Sequence, residues 1–353
     1  MTLLKSISGI RGTIGGKPGE NLTPIDIVKY ASAYAEWLFQ QNSGKTVIIG
    51  RDARISGQMV SNIVTSTLNS KGLRVIDLGL STTPTVEMAV TELNAGGGII
   101  ITASHNPKQW NALKLLNGKG EFISADDGKI ILELAENSEL EYVQIDSLGS
   151  YSINGEMLNS HIDKILALDS VDVEAIRNAD LKVVVDGVNS TGGIAVPALL
   201  NNLHVEVHTL YCEPTGLFPH NPEPLPENLS EIANEVTRHN AHLGIAVDPD
   251  VDRLAFVCDD GTFFGEEYTL VAIADYVLHS KKGPTVSNLS SSRALRDVTE
   301  KHGCSYYASA VGEVNVVQKM KEVDAVIGGE GNGGIIVPEL HYGRDALVGI
   351  ALF

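Results

Sequence analysis

Thr46-Val47-Ile48-Ile49-Gly50, a helical stretch over residues 57–71 stopped by Gly72, and Arg74-Val75-Ile76-Asp77 together spell strand, helix, strand. The strand segments are short apolar runs bounded by turn residues, and the intervening helix is long enough to cross back over a sheet. A parallel βαβ unit follows. The rhythm extends outward from it. Thr23-Pro24 opens an earlier helix running to about residue 41, and residues 84–94 form a helix with proline in its first turn. After residue 140 the pattern weakens, and residues 141–149 read as a polar loop. A helix over residues 154–168 and a strand over residues 181–187 restart it. Residues 213–228 hold five prolines and read as a long irregular loop. Beyond Arg253 the spacing predicts helices over 266–280, 292–302 and 312–321, with strands at Val286 and at 325–327.

A chain of 353 residues is too long for one compact core. The expectation is three consecutive α/β domains with mixed, mostly parallel sheets and an active cleft at their junction. Boundaries near residues 150 and 255 give segments 1–150, 151–254 and 255–353, each of ordinary domain size. The apolar stretch from Ala346 is cut at Phe353 without a stop signal, so the chain is expected to be a fragment of something longer.

The net charge of −18 argues against a nucleic-acid partner, which needs a basic face. It does not exclude phosphate ligands, which a few local cations and backbone N–H groups can hold. No apolar run reaches the roughly 18 residues of a membrane span, and the N-terminus lacks a signal-peptide core. Cys212, Cys258 and Cys304 show no zinc or redox spacing, consistent with free thiols in the cytoplasm. Oligomeric state has no signature in the sequence.

Two motifs carry chemistry. Gly98-Ile99-Ile100-Ile101 reads as a buried strand that runs into Thr102-Ala103-Ser104-His105-Asn106-Pro107, with Lys114 ten residues after the serine. A strand ending in one hydroxyl can aim it into a cleft, although Ser104 alone could equally be a turn or helix-cap serine. Asp248-Pro249-Asp250-Val251-Asp252-Arg253 follows the strand-like residues 243–247. On an extended backbone Asp248, Asp250 and Asp252 would point to one side and converge on a divalent cation. Oxygen-only donors suit Mg²⁺ or Ca²⁺. The alternatives are a solvated acidic turn or an EF-hand loop, but an EF-hand needs glycine where Arg253 stands and glutamate where Asp259 stands. A phosphorylated Ser104 would bring close to two negative charges to such a site, and Arg253 could brace the phosphate by a bidentate contact.

Other positions are open. His105 is structural or a phosphate contact. Lys114, on an apparent strand over residues 112–116, snorkels outward or faces a cleft as a proton-transfer group; by itself the snorkelling option is favoured. Arg11, in Ser8-Gly9-Ile10-Arg11-Gly12-Thr13, lies in a turn or near a ligand. Gly328-Gly329-Glu330-Gly331-Asn332-Gly333-Gly334 is a glycine-rich turn, or a strand-end loop whose Glu330 and Asn332 grip sugar hydroxyls. It lacks the Lys-Ser/Thr of a nucleotide-binding loop.

These motifs, in this order, resemble the α-D-phosphohexomutase superfamily, and the resemblance covers the whole chain. Residues 102–107 look like its phosphoserine loop, 248–253 like its metal loop and 329–334 like its sugar-binding loop. The Ser8–Thr13 motif and the Gly-Glu-Gly-Asn-Gly-Gly form are most similar to phosphoglucosamine mutases and archaeal-type phosphoglucomutase/phosphomannomutases. The resemblance implies a phosphotransferase-type isomerase of carbohydrate metabolism. It would interconvert hexosamine 6-phosphate and 1-phosphate, most simply of glucosamine, through a phosphoserine and a 1,6-bisphosphate, with glucose or mannose phosphates as the alternative. It implies Ser104 as phosphoryl carrier and Mg²⁺ held by Ser104 phosphate, Asp248, Asp250 and Asp252. Lys114 is the implied acid/base group, Arg11 an active-site arginine, and Glu330 the holder of sugar hydroxyls. Two departures stand out. Gly334 occupies the place where the family often has an acid/base histidine, with His341 the nearest substitute. The Arg-Ser-Gly-Thr phosphate clamp of a fourth, C-terminal domain has no counterpart here. A metal-dependent sugar-phosphate phosphatase and a non-catalytic phosphosugar-binding module are the competing functional classes.

Overall fold

The computed structural model describes residues 1–6, 9–137 and 139–353. Ser8, the first residue of the Ser8–Thr13 motif, lies outside the described residues. The chain divides into two compact units, one of Met1–Leu158 with Thr215–Leu217, the other of Asn159–Pro214 with Phe218–Phe353.

The first unit runs β1 (Leu4–Ser6), β2 (Gly9–Thr13), α1 (Pro24–Gln40), β3 (Thr46–Arg51), α2 (Gly57–Ser70), β4 (Arg74–Leu80), α3 (Thr83–Glu92), β5 (Gly97–Ile101), β6 (Trp110–Leu116), α4 (Ala125–Asn137) and β7 (Tyr151–Ile153). One mixed sheet of order β1-β2-β6-β5-β3-β4-β7 results. Its β5-β3-β4-β7 portion is parallel, and β6, β2 and β1 are joined by antiparallel pairings. Because side chains alternate along a strand, Ile99, Ile101, Leu113 and Val47 pack on the α1, α2 and α4 face, while Ile48, Ile100 and Leu116 pack on the α3 face. Thr23 caps α1 in a reciprocal capping box with Asp26, and Pro24 fills the first turn. Sequence periodicity did not reveal α4 or β7. Most α4 side chains stay in solvent, with only Ile131 and Ala135 buried, and β7 is a three-residue edge strand.

The second unit runs α5 (Met157–Leu166), α6 (Val173–Asn178), β8 (Lys182–Asp186), α7 (Gly192–Asn202), β9 (Glu206–Leu210), α8 (Ser230–His239), β10 (Leu243–Val247), β11 (Leu254–Cys258), α9 (Glu266–Ser280), β12 (Thr285–Asn288), α10 (Ala294–Lys301), β13 (Tyr306–Ser309), α11 (Glu313–Val323), β14 (Ile327–Glu330), β15 (Gly334–Ile336) and α12 (Ala346–Leu352). It holds two four-stranded sheets, β11-β10-β8-β9 and β13-β12-β14-β15. In each, three strands are parallel and one edge strand returns by an antiparallel hairpin. With the first sheet, this makes three α/β layers built on mixed, largely parallel sheets. Among the described residues no helix is long and apolar enough to cross a membrane.

Three expectations are corrected here. Residues 248–252 are not extended: β10 and β11 pair from Val247↔Leu254 onward, so the chain must reverse between them. It does so with Val251 at φ 63° and its N–H on the Asp248 carbonyl, 3.1 Å. The glycine-rich stretch is not a loop after a strand ending at 327. Ile327–Glu330 is itself a strand, hairpinned to β15, because a side chain at Gly329 would meet the Gly334 carbonyl at 1.9 Å. Arg11 lies in strand β2, where it faces Ala112, not in a turn.

Candidate active site

In the first unit, β5 is buried along its whole length and delivers the chain to Ser104. Ser104 is itself buried, with φ 47°, a left-handed conformation that costs a non-glycine residue roughly 1–2 kcal/mol. The surrounding bonds show what holds it. Its N–H donates to Thr102 Oγ1 at 2.9 Å, and that hydroxyl donates to Asp52 Oδ2 at 2.6 Å. Asp52 follows β3, the parallel neighbour of β5, so the carboxyl ends of two adjacent strands meet here.

Arg54 completes the clamp. Its Nε donates to Asp52 Oδ2 (2.9 Å), its Nη1 to the carbonyls of Pro107 (2.9 Å) and Trp110 (3.1 Å), and its Nη2 to those of Ser104 (2.5 Å) and Asn106 (2.7 Å). A guanidinium has five N–H donors, and these five acceptors match them. The side chains of Arg54 and Asp52 are both fully buried. Sequence reading missed this pair. The available signal was the charged run Arg51-Asp52-Ala53-Arg54 between an apolar strand and a helix, where α/β sheets carry their sites.

Around the serine, His105 Nδ1 lies 3.3 Å from Ser104 Oγ, and Arg11 Nη1 donates to Asn106 Oδ1 at 3.2 Å. Arg11 stands opposite Ala112, two residues from Lys114, so Arg11 and Lys114 share one face of the sheet. Lys114 does not snorkel. It is only 9% exposed, and its Nζ lies 5.6 Å from the centre of the Phe122 ring.

In the second unit, Asp248, Asp250 and Asp252 are wholly buried, and one carboxylate oxygen from each lies within 4.8 Å of the others. The turn achieves this by folding onto Asp248, whose Oδ1 accepts the N–H groups of Asp252 (3.1 Å) and Arg253 (3.2 Å). Hydroxyls of Ser190 and Thr191 hold the Pro249 carbonyl, each at 2.7 Å. The donor set is all carboxylate oxygen, clustered and dry, which fits a hard divalent cation such as Mg²⁺ and not a soft one. Arg253 Nη1 pairs with Glu223 Oε1 at 2.9 Å.

The same unit gathers more charge beside the triplet. Arg344, which sequence reading missed, reaches Asp252 Oδ2 (2.7 Å), Glu330 Oε2 (2.9 Å) and Glu313 Oε2 (3.0 Å). Burial acts against the arginine's charge, but these three carboxylates outweigh it and hold the guanidinium firmly protonated. Burial raises the Glu313 carboxyl above its usual range despite Arg344. Glu330 is 4% exposed, and its Oε1 accepts from Asn288 Nδ2 (2.6 Å) and the Gly312 N–H (3.2 Å). Asn332, two residues on, accepts the Gly334 N–H at 3.3 Å through Oδ1. His341 is turned to Asp345 Oδ2 (3.3 Å), which also takes buried His161 (2.8 Å).

Known proteins are similar to this chain along its length. Residues 3–141, 159–261 and 265–353 match, in order, the alpha/beta/alpha domains I, II and III of phosphoglucomutase/phosphomannomutase. The chain is 34% identical over 339 residues to a phosphoglucomutase/phosphomannomutase of Thermococcus kodakarensis, covering 95% of this chain and 74% of that protein. It is likewise 34% identical to a "Probable phosphoglucosamine mutase" of Methanopyrus kandleri, over 96% of this chain and 72% of that one. A crystal structure of a phosphoglucomutase/phosphomannomutase family protein from Burkholderia thailandensis superposes with a TM-score of 0.87 at 25% identity, over 99% of this chain and 76% of that one. With all three domain models matched along its length, the chain belongs to the phosphoglucomutase/phosphomannomutase family of phosphohexomutases.

Proposed function

We propose that this protein interconverts the 6-phosphate and 1-phosphate of a hexosamine, with glucosamine phosphate as the preferred substrate. Ser104 carries the phosphoryl group. The carrying observation is the buried serine held in left-handed backbone by Arg54, next to a sheet face that bears Arg11 and Lys114. A fixed serine on a rigid strand end is what in-line phosphoryl transfer demands, since positioning and charge neutralisation supply most of that catalysis.

In the first half-reaction the bond from phosphorus to Ser104 Oγ breaks and one to the free sugar hydroxyl forms. The hydroxyl proton passes to a base, for which Lys114 is the candidate. The resulting 1,6-bisphosphate turns end over end, and its other phosphate returns to Ser104. Asp248, Asp250 and Asp252 would hold Mg²⁺ together with the Ser104 phosphate, and the ion would offset the charge on the transferring oxygens. Arg253 and His105 would contact phosphate, and Glu330 and Asn332 the sugar hydroxyls. Several similar proteins are named as phosphoglucosamine mutases, which supports the amino sugar as substrate.

The test is a coupled assay of the purified chain with the 6-phosphates of glucosamine, glucose and mannose, beside intact-mass measurement. Isomerisation, with one phosphate on the chain that Ser104→Ala lacks, is expected. Steady release of inorganic phosphate without isomerisation would mean a phosphatase. Near-normal turnover by Ser104→Ala would refute the serine assignment.

A further inference from the structure

Arg344 is one side chain with three anionic partners from three separate elements: Asp252 from the β10–β11 turn, Glu330 from β14, and Glu313 from the start of α11. Its own N–H donates to the other oxygen of Glu313, 3.1 Å away. The adjacent residue fixes the backbone on the other side. Asp345 Oδ1 caps α12 through the N–H groups of Leu347 (2.8 Å) and Val348 (3.3 Å), while Oδ2 takes His161 and His341.

Gly334 supplies an independent observation. Its φ is not in the left-handed region, so its backbone does not require glycine. Space does: a Cβ at 334 would lie 2.4 Å from Arg344 Cδ and 3.1 Å from Cγ. The aliphatic stem of Arg344 fills the place where any side chain at 334 would stand. Gly334 and Arg344 are therefore one feature, the absence of a side chain in the hairpin making room for an arginine that reaches Asp252, Glu313 and Glu330.

We propose that Arg344 is a positioning residue that orients Asp252 of the cation-binding turn and Glu330 of the glycine-rich hairpin together. Its link to catalysis rests on the mutase reading above. By engaging Asp252 Oδ2, it sets how that carboxylate presents itself to Asp248 and Asp250. By engaging Glu330 Oε2, it ties the hairpin's orientation to the same fork. Lysine cannot substitute, because a single ammonium on a flexible stem does not reproduce a planar fork on three carboxylates.

The test uses the full chain as wild type, Arg344→Met, Arg344→Lys and Gly334→Ala. Thermal melting reports the fold, calorimetric Mg²⁺ titration the cation affinity, and the isomerase assay kcat and KM. Partners that orient metal-binding groups typically matter by about 10–100-fold. Variants that melt like wild type are expected to bind Mg²⁺ at least about tenfold more weakly and to lose kcat, with lysine failing to rescue. Gly334→Ala, which alters no charge, should show the same pattern. Unchanged Mg²⁺ affinity in the folded variants would overturn the proposal. So would tighter binding in Arg344→Met, which would make the arginine a competing cation, or loss of the fold in all three. A wild-type chain that binds Mg²⁺ but does not isomerise sinks the mutase reading alone, since the titration still decides the role of Arg344. A wild-type chain that binds no Mg²⁺ sinks both.

Discussion

Arg54 Nη2 lies 2.5 Å from the carbonyl oxygen of Ser104, fifty residues away in sequence, and the same guanidinium holds three further carbonyls of the serine loop. The loop conformation is thus set from outside the loop. Removing one partner of a buried ion pair leaves the other charge without compensation, at about 3–5 kcal/mol. Arg54→Met is expected to destabilise the protein by that order, with Asp52 stranded. Arg54→Lys should fold better yet lose most phosphoryl transfer, because it cannot span the carbonyls. Urea denaturation and the isomerase assay check the two parts. A fully active Arg54→Lys would show that the clamp does not govern the serine.

Chelation offers a second prediction. Three buried carboxylates within 4.8 Å repel one another unless a cation or protons intervene. Treatment with EDTA should abolish isomerisation, and Mg²⁺ should restore it. Asp250→Asn should weaken Mg²⁺ binding about tenfold or more. If Mn²⁺ replaces Mg²⁺ on the phosphorylated chain, paramagnetic broadening of the phosphoserine ³¹P signal is expected, and a sharp signal would place that phosphate away from the ion.

His220 predicts a pH dependence of stability. Its Nδ1 faces the Asn221 carbonyl (2.8 Å) and its Nε2 faces Asp186 Oδ2 (3.0 Å), so the doubly protonated ring satisfies both. Burial disfavours that charge, but the hydrogen bond and charge of Asp186 prevail, and the pKa is raised above its ordinary value. A raised pKa in the folded state gives stability that is fully present below the unfolded value of about 6.5 and is lost as pH rises through the folded value. Melting curves of wild type and His220→Gln should therefore differ most below the unfolded value of about 6.5 and converge as the pH rises above it. A gap that widened with rising pH would contradict this ion pair.

Much of the architecture was legible because local forces and tertiary demands agree. Residues 266–280 read as a helix and are one, and the strands at 46 and 74 begin where the apolar runs begin. Legibility failed where long-range pairing decides. Glu330 sits in a strand because β12 and β15 flank β14, although five glycines in the seven residues 328–334 argue locally for a loop. Lys114 is buried, opposite Ile100 of β5 and beside Phe122, neighbours that its own segment could not disclose. Of the two site arginines missed, Arg54 could have been suspected from its place at a strand's carboxyl end. Arg344, ahead of an apolar helix, carried no such mark.

The amino-acid sequence by itself determined the α/β alternation, the serine after a buried strand and the three aspartates in one short motif, because each depends on neighbours in the chain. Only the tertiary structure decided how those groups are held. The left-handed Ser104, the reversal through Val251 and the sharing of Arg344 among Asp252, Glu313 and Glu330 all depend on residues remote in sequence. A buried charge or a strained backbone is stable only when distant groups supply its partners, and spacing along a chain does not reveal which distant groups will meet.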